Sequence, residues 1–121
     1  MPSINEVILR VGKLKPNVID DDLKAMWLLS LDNQIYREMT SVEHPQGLPP
    51  KQWPEDGDMP LLVKPPYDKL YDSYLKAMIE FYMREYAEYN NTQEMFASDM
   101  TDYRAYYRRK HTPAKKNFKV M

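Results

Sequence analysis

Asp20-Asp21-Asp22 is the densest run of hard oxygen ligands in this 121-residue chain, and His44 and His111 are its only imidazoles. Adjacent carboxylates suit a divalent cation, and histidine suits proton transfer or zinc. The contexts argue against both. The three aspartates stand directly before an amphipathic run, where an N-cap and an acidic first turn meet exposed backbone N–H groups. His44 precedes Pro45 in a proline-rich segment and His111 closes a basic run, with no H-E-x-x-H or triad-like setting around either. Glu55-Asp56-Gly57-Asp58 has turn residues but lacks the alternating oxygen ligands and distal glutamate of a calcium loop. The chain has no cysteine, so disulfides and thiolate zinc sites are excluded, and its three glycines are too scattered for a phosphate-cradling loop. The expectation is a protein that is not an enzyme, with no catalytic residue, metal or cofactor.

Charge is the next chemical feature. The net charge is −1, yet the seven basic residues Arg104, Arg108, Arg109, Lys110, Lys115, Lys116 and Lys119 follow Tyr103 with no acid among them. Residues 1–102 keep ten basic and eighteen acidic groups. Such polarity fits an acidic partner for the tail, or equally a solvated helix end whose cations complement the helix dipole. The ten tyrosines are a second peculiarity. Tyrosine combines large apolar area with a polar tip, which suits partly wet interfaces as well as the edges of a core.

The elements that must position these residues read as helices. Ser3-Ile4-Asn5-Glu6 has the form of a capping box, and Ile4, Val7, Ile8 and Val11 follow at helical spacing. Lys15-Pro16-Asn17 ends that helix. After the aspartates, Leu23, Trp27 and Leu31 recur every fourth residue, with Met26 and Ile35 beside them. Residues 40–66 hold seven of the ten prolines, which excludes a long helix. That segment reads as an irregular loop, with room for one short β element at Leu61-Leu62-Val63. Its apolar residues, among them Leu48 and Trp53, predict that it packs on something. From Tyr67 to about Tyr89 apolar and tyrosine side chains fill an arc of roughly 200°, wider than a single core-facing stripe. Such a helix needs two neighbours, one of which the spacing allows to be another subunit. Asn90-Asn91-Thr92 reads as a break, with Asn91 capping a last helix whose Met95, Phe96, Met100, Tyr103, Tyr106 and Tyr107 share one arc. The fold class predicted is all-α: helices near 4–14, 21–39, 67–89 and 92–110, the last two an antiparallel hairpin. Residues 1–113 form one domain and 114–121 a flexible basic tail. No stretch has the apolar length of a membrane span and the first twenty residues lack a signal-peptide core, so a soluble, intracellular protein is expected.

The order of these pieces resembles a known family. A capped helix, K-P-N, an acid-led helix with W-L-L-S-L-D, a proline-rich loop ending L-L-V-K-P-P-Y-D-K-L-Y, and the finish E-Y-N-N-T-Q-E-M-F…Y-R-A-Y-Y-R-R-K-H look like the small phage and prophage head–tail connector, or adaptor, proteins. The resemblance runs from about Ile4 to Pro113. It implies a non-enzymatic helical subunit that assembles into a ring between the portal and the next neck or tail component. DNA passes through the ring without sequence-specific binding, no cofactor or membrane is involved, and the protein moves from the bacterial cytoplasm into the virion neck. On that basis Arg104, Arg108, Arg109, Lys110, Lys115, Lys116 and Lys119 are expected to dock on a partner. Tyr71, Tyr82, Tyr86, Trp53, Leu61 and Leu62 are expected to contribute to subunit contacts. Two alternatives stand beside it: a small helical DNA-binding or regulatory protein using the same cations on phosphates, although no helix-turn-helix with a basic recognition helix is visible, and a tail-assembly chaperone.

Overall fold

The computed structural model describes residues 2–40 and 51–111. His44, Leu48 and the tail from residue 112 onward, with Lys115, Lys116 and Lys119, lie outside the described residues. Four helices build the domain: α1 (Ile4–Leu14), α2 (Asp21–Ile35), α3 (Lys69–Tyr82) and α4 (Tyr86–His111). A π-helical turn, Tyr36–Thr40, continues α2. The fold is all-α, as the periodicity requires.

Local chemistry explains the starts. Ser3 caps α1, its hydroxyl accepting the Glu6 backbone N–H at 3.2 Å. Asp20 stands at the N-cap position of α2 without a side-chain hydrogen bond to the helix, and Asp21 and Asp22 occupy its first turn. The Asp22 carboxylate accepts the Trp53 indole N–H, which ties the proline-rich segment to the helix. The α2 core face is rotated from the one read in the sequence: Ala25, Leu28, Leu31 and Ile35 are buried, Trp27 is half-buried and Met26 exposed.

The helical hairpin turns earlier than the sequence indicated. α3 ends at Tyr82, and Asn90-Asn91-Thr92 lies inside α4. Arg84 sits at φ 62°, in the left-handed region that glycine usually occupies. Around it the Arg84 N–H donates to the Phe81 carbonyl at 3.1 Å and the Glu85 N–H to the Glu80 carbonyl at 2.8 Å. This is a Schellman closure with arginine in the glycine position. Asparagine costs a helix interior only about 0.7 kcal/mol, a penalty that packing against α3 overrides. The α3–α4 pairing is the most extensive in the domain, and α3 also contacts α1 and α2.

The core gathers Ile4, Val7 and Val11 from α1, the α2 face, Leu70, Leu75 and Ile79 from α3, and Met100 from α4, with Leu61 and Val63 from the loop. Its centre is polar. Asp32 and Tyr71 are almost fully buried, and the Tyr71 hydroxyl donates to Asp32 Oδ1 at 2.5 Å while accepting the Val63 N–H at 2.9 Å. Asp32 Oδ2 also accepts the Leu62 N–H at 3.1 Å. Residues 62 and 63 are therefore pinned by side chains, whereas the Leu61 N–H donates to the Pro2 carbonyl at 2.9 Å. Among the described residues there is no strand, only an isolated bridge between Ser3 and Pro60. Residues 53–58 are turns, and Gly57 lies so close to Asn5 that an added Cβ would stand 2.7 Å from its Nδ2.

Candidate functional site

The wide apolar arc of α3 is spent in two ways. Along most of the helix it is covered within the chain, because α1, α2 and α4 surround it. Tyr71 is consequently a core residue, and so is Leu61. Both are corrected from the expected subunit contacts: neither has surface to offer a neighbour. Leu62 and Trp53 are half-buried.

At its C-terminal end α3 outruns its cover. Phe81, Tyr82, Met83 and Tyr86 are 53%, 58%, 40% and 52% exposed. With Trp27, Met78 and Arg84, the residues Phe81, Tyr82 and Tyr86 line an open groove of about 410 Å³. The rings hold one another: Trp27 meets Tyr82 edge-on at 6.0 Å, and Phe81 lies 5.9 Å from Tyr86 and 5.2 Å from Tyr89. Exposed aromatic clusters of this kind mark contact surfaces. The sequence reading found Tyr82 and Tyr86 but missed Trp27, Phe81, Met83 and Arg84. Placing the turn at Asn90 puts Phe81, Met83 and Arg84 inside a continuous helix, and Trp27 reads as part of the core stripe of the second helix.

A rigid ionic brace sits behind the groove, where α1 and α3 end and α4 begins. Lys15 Nζ is 2.5 Å from Glu85 Oε1 and 3.6 Å from Glu80 Oε2, and Lys76 Nζ is 3.0 Å from Glu80 Oε2. Glu80 is wholly buried, so these two ammonium groups supply the charge that water cannot. The Glu85 carboxylate holds the Lys15 ammonium above its ordinary pKa. Two turns earlier on the same face of α3, Arg10 grips Asp72 with two hydrogen bonds, 2.7 and 3.0 Å, fixing α1.

The opposite pole of α4 is basic. Arg104 pairs with Glu38 at 3.1 Å, joining α4 to the π-helical turn, and that bond holds the Glu38 carboxyl below its ordinary pKa. Arg104 thus braces the fold while remaining partly exposed. Arg108 lies beside it, near Glu38, Met39 and Tyr107. Arg109 and Lys110 are exposed, the Lys110 ammonium reaching the Tyr106 hydroxyl at 3.3 Å. Among the described residues, no group of three acidic or histidine side chains could hold a metal ion, and no helix is long and apolar enough to cross a membrane.

Comparison with protein-family models, curated proteins and solved structures gives no match. The arrangement itself is then the guide. A 26-residue helix, about 39 Å long, carries an aromatic groove at one end and a basic cluster at the other.

Proposed function

We propose that this chain is a non-enzymatic adaptor subunit of a phage or prophage neck, joining the portal to the next head-completion or tail component in a ring that leaves a channel for DNA. The observation that carries the reading is the pair of unlike exposed surfaces at the two ends of α4, held apart by a braced helical domain. A bridging subunit needs two such surfaces, one for each neighbour. The aromatic groove suits a partner that buries apolar area, and the cations at Arg108, Arg109 and Lys110 suit an acidic protein surface. The resemblance of the sequence layout to head–tail connectors points to the same assignment, with the portal as the acidic partner.

The test is co-sedimentation with portal rings encoded by the same genome. The native chain should sediment with the portal, and less so as salt rises, since exposed charges are screened over roughly 8–10 Å near physiological ionic strength. Arg108→Glu with Arg109→Glu should abolish docking while the helical circular dichroism stays unchanged. Unchanged co-sedimentation of the double variant would return the basic end to a solvated helix terminus. Tight binding of the native chain to duplex DNA in the absence of portal would favour the DNA-binding reading instead.

A further inference from the structure

The aromatic groove carries a single charge, and that charge decides what the groove can take. Trp27, Phe81, Tyr82 and Tyr86 line it with rings, and Met78 adds a thioether. Rings alone would accept an apolar side chain or, over their faces, a cation. The remaining lining residue is Arg84, which repels a cation and favours a carboxylate. Arg84 is exposed and makes no ion pair among the described residues. The acids nearest to it in the chain are engaged elsewhere. Glu80 is held by Lys15 and Lys76, Glu85 by Lys15, and Glu88 also acts on Lys15.

The turn that presents this arginine would suit glycine better. Arg84 adopts φ 62°, a conformation glycine takes freely, so what arginine adds there is its side chain. The next residue, Glu85, is fixed by Lys15, so the guanidinium projects from a braced turn. An opening of about 410 Å³ lies toward the small end of ligand-pocket sizes and has room for one or two large side chains. We infer that the groove receives a segment of a partner protein in which a large apolar side chain stands beside an aspartate or glutamate. The apolar group fills the space between Trp27, Phe81, Tyr82 and Tyr86, and the carboxylate meets the Arg84 guanidinium. The rings supply buried area and Arg84 supplies selection by charge. The inference deepens the adaptor reading by giving its aromatic end a partner chemistry, and it rests on that reading only for placing the segment on the next neck or tail component.

The test is an NMR titration of the isotope-labelled full-length chain with end-blocked hexapeptides: Gly-Ser-Phe-Glu-Ser-Gly, the same peptide with Phe-Lys at its centre, and the same with Ala-Glu. The Phe-Glu peptide should move the Trp27 indole and Arg84 signals and bind about fivefold more tightly than the Phe-Lys peptide. Raised salt should narrow that preference. The Ala-Glu peptide should leave the Trp27 indole unmoved. Arg84→Gly fits the turn without strain, so it keeps the fold, which circular dichroism verifies, and it should bind Phe-Glu and Phe-Lys alike. Arg84→Lys should restore most of the preference. Equal affinity of the native chain for the two peptides, a preference for Phe-Lys, an unmoved Trp27 indole at millimolar Phe-Glu peptide, or a preference that survives Arg84→Gly would each overturn the inference. Trp27 shifts that grow with protein concentration in the absence of peptide would assign the groove to a second copy and overturn it too. Portal co-sedimentation of the native chain reads the basic end and is independent of this result. Portal binding without the acid preference would remove the groove's assignment and leave the adaptor reading, whereas the acid preference without portal binding would keep the assignment and remove the adaptor reading.

Discussion

Replacing Tyr71 by Phe removes one oxygen from the middle of the core and nothing else. The ring stays the same size, so packing is preserved. Two hydrogen bonds disappear: the one Tyr71 donates to Asp32 and the one it accepts from the Val63 N–H. Tyr71 is 0% exposed and Asp32 2%, so water has no access to replace them. The Val63 N–H is left without its acceptor and Asp32 keeps only the Leu62 N–H. An orphaned buried polar group costs about 1–3 kcal/mol, so the expected loss is about 3 kcal/mol. That is a large part of the 5–15 kcal/mol typical of a domain. The assay is urea unfolding followed by circular dichroism. With a slope near 1.5 kcal/mol per molar, the midpoint should fall by about 2 M. Asp32→Ala in a double-mutant cycle with Tyr71→Phe should show coupling of about 1–2 kcal/mol, because both act on one network. A loss below about 0.5 kcal/mol for Tyr71→Phe would refute the view that this network pins residues 62 and 63.

Three further outcomes follow from the brace and the turn. Arg84→Gly should stabilise the domain by about 0.5–1 kcal/mol, since a left-handed conformation costs a non-glycine residue roughly 1–2 kcal/mol, partly offset by the extra freedom of glycine in the unfolded chain; thermal unfolding measures it. Lys15→Met with Lys76→Met strips Glu80 of both cations and should cost about 3–5 kcal/mol by urea unfolding, most of it recovered when Glu80→Met is added. Glu38 is held below its ordinary pKa of 4.5 by Arg104, so its contribution is present above that value and lost as pH falls through the lower folded value. Both partners are about 40% exposed, so the effect is small, about 0.5 kcal/mol at most, and Arg104→Gln should erase it from the acid limb of a stability–pH curve.

The four helices were legible because caps and periodicity act locally. Ser3 before Glu6 and the aspartates before Leu23 mark starts that need no tertiary information. The hairpin turn was not legible. Met83-Arg84-Glu85 contains no glycine, asparagine or proline, and its left-handed residue is held by the carbonyls of α3 and by the Lys15–Glu85 pair from another helix. Asn90-Asn91 has the local chemistry of a break but lies where α4 packs on α3. The same displacement hid the aromatic groove, because its rings cluster only once the chain reverses at Arg84. The width of the α3 arc was read correctly as a need for more than one neighbour. Those neighbours proved to be α1, α2 and α4 of the same chain over most of its length, which is why Tyr71 belongs to the core and Tyr82 to the surface. Asp32 was passed over because a lone aspartate in a helix gives no sign that its partner stands 39 residues away.

The most direct test of the adaptor reading is an electron cryomicroscopy map of the neck of particles whose genome encodes this chain. The account predicts a ring of helical subunits fitting α1–α4 between the portal and the next component, with Arg108 and Arg109 turned toward the portal and the Tyr82–Tyr86 end buried against the other neighbour. A neck whose rings are all accounted for by other proteins would contradict it.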